Sequence, residues 1–206
     1  MNEGFYHRLV RLGLAGLLLW GCVEDAPAPA PEPPCTPVGE SGARPLILEL
    51  LESDELGGTR RLTEGGLIHL ERPVQGGHVV YVTARVTGLC TKSVLLTGRI
   101  RSIEDDSVLN KDIRRGFGLK ELGDGTATSD PLDLSTFSNI ALCPEVRDRY
   151  DVEGTQYILE IEVEDIDARV AKTAIRVTPT CGQSDEAERS TCSCECNLGG
   201  VSSGCG

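Results

Sequence analysis

The densest group of reactive side chains in this sequence is Cys192-Ser193-Cys194-Glu195-Cys196, followed by Cys205. Four thiolates so close together would suit a soft cation, Zn²⁺ or Cu(I), because sulfur donors select those metals. Two features count against that use. Paired zinc ligands usually leave about two to four residues between them, whereas neighbouring cysteines here are separated by a single residue. Glu195 also lies between two of the cysteines, and its charge opposes thiolate formation, which weakens a redox-active dithiol as well. Acidic clusters offer a second chemistry. Glu104-Asp105-Asp106, Asp124 within Gly123-Asp124-Gly125, and Glu164-Asp165-Ile166-Asp167 carry oxygens that Ca²⁺ could use. Calcium needs about six to eight oxygens converging from several segments, and no EF-hand spacing occurs. The alternative is solvated turns that keep an anionic domain soluble and blunt its sheet edges. Nucleophilic catalysis has few candidates: past residue 21 the only histidines are His69 and His78. Neither Gly-x-Ser-x-Gly nor His-Glu-x-x-His is present. The expectation is a non-catalytic protein without a cofactor or a resident metal. Metal handling (Zn or Cu) by the C-terminal cysteines is the competing reading.

The N-terminus addresses the location of this chemistry. Arg8 and Arg11 precede an apolar run from Leu12 to Trp20. That run is too short to cross a bilayer, which takes about 20 residues, so it reads as the core of a signal peptide spanning residues 1–21. Leu19-Trp20-Gly21-Cys22 resembles the lipobox of bacterial lipoproteins, with Trp20 bulkier than usual at its position. The resemblance implies that Cys22 becomes the mature N-terminus and carries acyl chains, each buried CH₂ contributing about 0.8 kcal/mol to membrane attachment. Val23 and Glu24 follow, with no Asp directly after Cys22. In the resemblance this favours the outer membrane of the cell envelope over inner-membrane retention.

Composition agrees with that address. The formal charge of −12 becomes −13 once residues 1–21, with two Arg and one Glu, are removed. Such a chain has no electrostatic reason to approach nucleic acid. Eight cysteines remain beside Cys22: Cys35, Cys90, Cys143, Cys181, Cys192, Cys194, Cys196 and Cys205. An even number in an exported protein argues for disulfides. Cys90 and Cys143 flank β segments in the middle of the chain and are expected to pair with each other.

The elements that must position these residues are mostly β. Residues 22–44 hold Ala26-Pro27-Ala28-Pro29-Ala30-Pro31-Glu32-Pro33-Pro34, which can form neither helix nor central strand and reads as a tether. At about 3.1 Å per residue it would hold the following domain on the order of 60 Å from the lipid. Residues 45–181 read as a β-sandwich. In Tyr157–Glu164, Tyr157, Leu159, Ile161 and Val163 point one way and Glu160, Glu162 and Glu164 the other. Val170–Val177 alternates too, and pairing Val163 with Ala171 keeps both apolar rows together while setting Glu162 opposite Lys172. Further strands are predicted over Leu46–Leu51, Val79–Thr87 and Val94–Ile103. Weaker ones fall near Leu67–Leu70, Ser107–Ile113, Phe117–Glu121 and Leu132–Leu134. Tyr157 and Phe137 are predicted in the core, with Tyr81 and Tyr150 as surface aromatics. No helix of ten residues or more is predicted, and at most a turn lies around Pro144–Asp148. Residues 182–206, nearly devoid of large apolar side chains, read as a tail that bridges must order.

Gly76-Gly77-His78-Val79-Val80-Tyr81-Val82 with Gly88-Leu89, and the hairpin Tyr157 to Val177, resemble strand B and strands F–G of immunoglobulin-like domains. Such domains occur in many bacterial envelope lipoproteins. The resemblance implies an antiparallel immunoglobulin-like sandwich, although the chain lacks a core Trp and cysteines centred in the B and F strands. It also implies that first and last strands run side by side, which would bring Cys35 to Cys181. Cys192, Cys194, Cys196 and Cys205 would then close the tail on themselves; in a rival arrangement Cys35 joins the tail cluster. The function implied is a binding or structural module on a lipid-anchored stalk, with the membrane and an envelope protein or polymer as partners.

Overall fold

The computed structural model describes residues 35–39, 44–54, 57–143 and 152–197. Cys22, most of the Pro-rich stretch, the turn around Pro144–Asp148, Tyr150 and Cys205 lie outside the described residues. The strands are β1 (Leu46–Ser53), β2 (Thr59–Arg61), β3 (Gly66–His69), β4 (His78–Thr87), β5 (Val94–Ser102) and β6 (Val108–Phe117). They continue with β7 (Lys120–Glu121), β8 (Ala127–Thr128), β9 (Ser138–Cys143), β10 (Tyr157–Asp165) and β11 (Val170–Thr180), and one helix, α1 (Glu186–Asn197), follows.

Two sheets share the strands. One runs β2-β1-β4-β8-β7, with β9 also paired to β4, and the other runs β3-β11-β10-β5-β6. The described residues thus form an all-β sandwich carrying one short helix. The alternation read in the sequence carries through to the packing. Val80, Val82, Ala84 and Val86 of β4 face inward together with Leu96, Ile100, Leu159, Ile161 and Val163 of the other sheet. Tyr157 and Phe137 are fully buried, as their pattern predicts. The β10–β11 hairpin has the predicted register, with Val163 opposite Ala171 and Glu162 opposite Lys172. All strand pairs are antiparallel except β3 with β11, which is parallel.

Ile161 is fully buried while Glu162, one residue along, lies on the outer face beside Arg99 and Lys172. Ile161→Ala is expected to cost about 2–5 kcal/mol and Glu162→Ala to stay within about 1 kcal/mol. Urea denaturation of the two variants checks this, and equal effects would contradict the burial difference.

Three expectations are corrected. Leu132–Leu134 is not a strand. A 3₁₀ turn spans Leu134–Thr136, because the Asp133 carboxylate accepts the Ser135 N–H and starts it. β9 is a full strand that the pattern did not predict; polar Ser138 and Asn139 open it and mask the apolar Ile140 and Leu142 behind them. Its outer edge is satisfied by β6 side chains: Asn110 donates to the Ala141 carbonyl at 2.7 Å, and Asp112 accepts the Asn139 N–H at 2.9 Å. Lastly, a helix of twelve residues exists in α1. Asp185 caps it by accepting the Glu188 N–H at 2.9 Å, and Glu186 and Glu188 place negative charge in the first turn, where the helix dipole favours it.

Candidate functional site

Three chain segments converge at one end of the sandwich. β4 begins at His78 and β9 ends at Cys143, and these two residues are paired across the strands. Gly77 permits this start. Its φ is +72°, and a Cβ there would stand 2.9 Å from the Cys143 carbonyl oxygen, so only glycine fits without displacement. β11 runs out into Cys181. Across the gap lies α1, which buries Cys192 and Cys196. Four residues apart, they project from one face of the helix.

Disulfides then weld the helix down: Cys181 to Cys192 and Cys143 to Cys196, with Cys35 to Cys90 as a third bridge elsewhere. Cys194 is disulfide-bonded too. The expected pairs Cys90–Cys143 and Cys35–Cys181 are therefore not formed, and Cys192 and Cys196 bridge out of the tail to Cys181 and Cys143. Strand geometry explains why. Cys143 lies opposite His78, the first residue of β4, whereas Cys90 follows its last residue, and ten residues of strand separate these ends by about 30 Å. A disulfide needs Cα atoms within about 7 Å. Cys35 belongs at the Cys90 end because the segment beside it is hydrogen-bonded there: Val38 donates to the Leu89 carbonyl, and Gly88 donates to the Val38 carbonyl. Cys181 is held at the opposite end by Glu153, which accepts the Cys181 N–H at 3.1 Å together with Ser193 Oγ and Asn197 Nδ2. Burial alone would raise the Glu153 carboxyl, but these three donors hold it below the usual carboxylate range.

His78 occupies the middle of this sulfur-rich end. It is 2% exposed, and its Nδ1 makes no hydrogen bond. The nearest charge is the Glu195 carboxylate at 3.3 Å, itself 3.7 Å from Arg72. Burial drives the imidazole pKa below its ordinary value, Glu195 works the other way, and Arg72 adds to the lowering. The folded protein thus favours the neutral ring. Beside it opens a cavity of about 400 Å³ lined by Glu71, Arg72, His78, Gln183, Ser184 and Glu188. Gln183 donates from Nε2 to the Leu70 carbonyl, and its buried Oε1 makes no hydrogen bond. Two buried polar atoms without hydrogen bonds thus belong to residues lining one cavity at this end.

The acidic clusters do different work. Asp165 is buried and accepts N–H groups from Cys90 at 2.8 Å, Asp167 at 2.9 Å and Arg169 at 3.0 Å, as well as Arg169 Nε at 2.7 Å. Asp105 caps Ser107, Asp106 pairs with Arg101, and Asp124 binds Arg85 and Thr126. These carboxylates are spent on their own loops rather than converging on a shared point. Glu160, predicted to face solvent beside Glu162, is instead buried under Arg99, Arg101 and Lys172. Burial raises its carboxyl, but the Lys172 hydrogen bond and the three cations outweigh that and hold it low. Glu52, to which the sequence pointed no role, is buried and joins the two sheets: Arg60 Nε donates at 2.6 Å and the His69 N–H at 2.8 Å.

Sequence reasoning found the cysteines but missed His78, Gln183, Glu52 and Asp165 as structural polar centres. The one available signal was Asp185-x-x-Glu188, an N-cap pattern that would have announced α1 and hence the shared face of Cys192 and Cys196. No protein-family model and no curated protein matches the chain.

Proposed function

We propose that the chain is a non-catalytic, lipid-anchored module of the bacterial cell envelope, an immunoglobulin-like sandwich on a Pro-rich stalk that binds or supports another envelope protein or polymer. The observation that carries the fold part is the strand order. The order β1-β4-β9, in a sheet that also holds β2, β8 and β7, and the order β3-β11-β10-β5-β6 in the other support a match to A-B-E and A′-G-F-C-C′ of that architecture, with β3 lying parallel on the last strand. Disulfides at both ends of β4 stiffen the body, which suits a displayed surface more than a closing active site. The address rests on Leu19–Cys22, and fold alone does not name the partner.

Mass spectrometry of the purified mature protein tests the anchor: an acylated Cys22 at the N-terminus is expected, and Cys22→Ser should leave an uncleaved or soluble precursor. An unmodified N-terminus at Val23 or beyond overturns it. A photo-cross-linking residue at exposed Lys111 on edge strand β6 tests the module, with a discrete adduct in intact envelopes expected. That adduct should vanish when Cys22→Ser releases the chain.

A further inference from the structure

We propose that reducing the Cys143–Cys196 and Cys181–Cys192 bridges turns this end of the sandwich into a thiolate–imidazole site for Zn²⁺, with His78, Cys192 and Cys196 as ligands and Cys143 or Cys181 completing the set. The ligand atoms of His78, Cys192 and Cys196 all lie within 4.8 Å of one another, and all three residues are buried. Tetrahedral zinc, with Zn–S of about 2.3 Å and Zn–N of about 2.0 Å, sets donors about 3.6–3.8 Å apart, so these atoms need to draw in by about 1 Å. His78 brings the second, independent observation. Its imidazole is sealed from solvent with Nδ1 unbonded, a polar atom that costs free energy unless something uses it. Glu195, 3.3 Å from Nδ1, adds negative charge beside the site, which favours a bound cation.

The objection raised by the Cys-x-Cys-x-Cys spacing also falls away. The helix separates Cys192 and Cys196 by three residues, within the range zinc pairs use, and turns Cys194 out of the set. Cys143 and Cys181 are already bonded to the ligand sulfurs and would remain beside them as thiols. Each bridge takes two electrons and two protons from a dithiol reductant, which closes to its own disulfide while two protein thiols form. Zinc then binds the sulfurs as thiolates and the thiol protons pass to water. A disulfide sulfur offers no thiolate, so the oxidised protein does not use the site.

The test titrates Zn²⁺, and Co²⁺ as a spectroscopic probe, into the mature full chain before and after reduction with a phosphine. The reduced protein is expected to bind one equivalent, to show thiolate-to-cobalt charge-transfer absorption, and to melt at a higher temperature with zinc than without. The oxidised protein should bind none. His78→Ala and Cys196→Ser should each weaken zinc by at least about tenfold, whereas Cys194→Ser should not. His78→Cys, which restores a ligand, should recover binding and so separates lost ligation from lost folding. Failure of the reduced protein to bind stoichiometric zinc, unchanged affinity in His78→Ala, no recovery in His78→Cys, or loss of binding in Cys194→Ser would each overturn the site.

Discussion

Asp165→Ala is expected to destabilise the protein by about 3–5 kcal/mol, because several buried N–H groups lose a charged acceptor at once, each such bond contributing about 1.5–3 kcal/mol. The side chain of Asp165 is wholly buried at the end of β10. Its carboxylate gathers three backbone N–H groups and the Arg169 guanidinium, and one of those groups belongs to Cys90, next to β4. Removing it leaves three backbone N–H groups without their acceptor, takes from the partly exposed Arg169 one of its two carboxylates, and unties the β10–β11 turn from the Cys35–Cys90 bridge at the same time. Asp165→Asn keeps the shape and an acceptor oxygen but loses the charge, so it should cost less than Asp165→Ala. Acid adds a second readout. Burial raises this carboxyl, but the Cys90, Arg169 and Asp167 N–H groups and the Arg169 charge hold it below its ordinary value. A folded pKa below the unfolded one of about 3.9 contributes stability that is present above about pH 4 and lost as pH falls through the folded value. Urea denaturation at pH 7 and pH 3 should therefore show a smaller difference between wild type and Asp165→Asn at the lower pH. A cost under about 1 kcal/mol for Asp165→Ala at pH 7 would mean the carboxylate does not hold the two loops together.

Where burial alone decides, the sequence was readable. A β-strand with one buried face writes that face as every second residue, which is why the β10–β11 register and the inward row of β4 could be placed to the residue. Short strands carry too few repeats for this: β2 has three residues and β8 two, and both exist because β1 and β4 offer them edges rather than because their own sequences ask for strand. The same limit hid α1, whose buried face consists of Cys192 and Cys196. Cysteine counts as core only once its partner is known, and the partners lie at the ends of β9 and β11. Charge was the least legible property. Glu160 and Glu162 occupy equivalent places in the alternation, yet Glu160 alone sits under three cations supplied by β5 and β11. Which acid becomes buried depends on strand neighbours, and a single strand's pattern does not contain them. The sulfur and imidazole cluster combines both limits, since it needs the β4–β9 register and the helix at once.

Replacing Cys143 and Cys196 together by alanine is expected to cost about 4 kcal/mol, and replacing Cys181 and Cys192 together about 3 kcal/mol. The difference comes from the loops they close. Cys143 and Cys196 are 53 residues apart in the chain and Cys181 and Cys192 only 11, and the entropy removed from the unfolded chain grows with the logarithm of that separation. Location sharpens the contrast. The longer link ties α1 to β9, while the shorter one ties it to the end of β11, so either bridge alone still holds the helix at one point. Hydrogen exchange should consequently rise in α1 in both variants but spread into β9 only when Cys143–Cys196 is lost. Both sulfurs of each link are also buried, so alanine leaves small cavities that add to the entropic cost. Chemical denaturation ranks the two variants, and a larger loss from Cys181/Cys192 would mean that native contacts between α1 and the end of β11 outweigh loop closure.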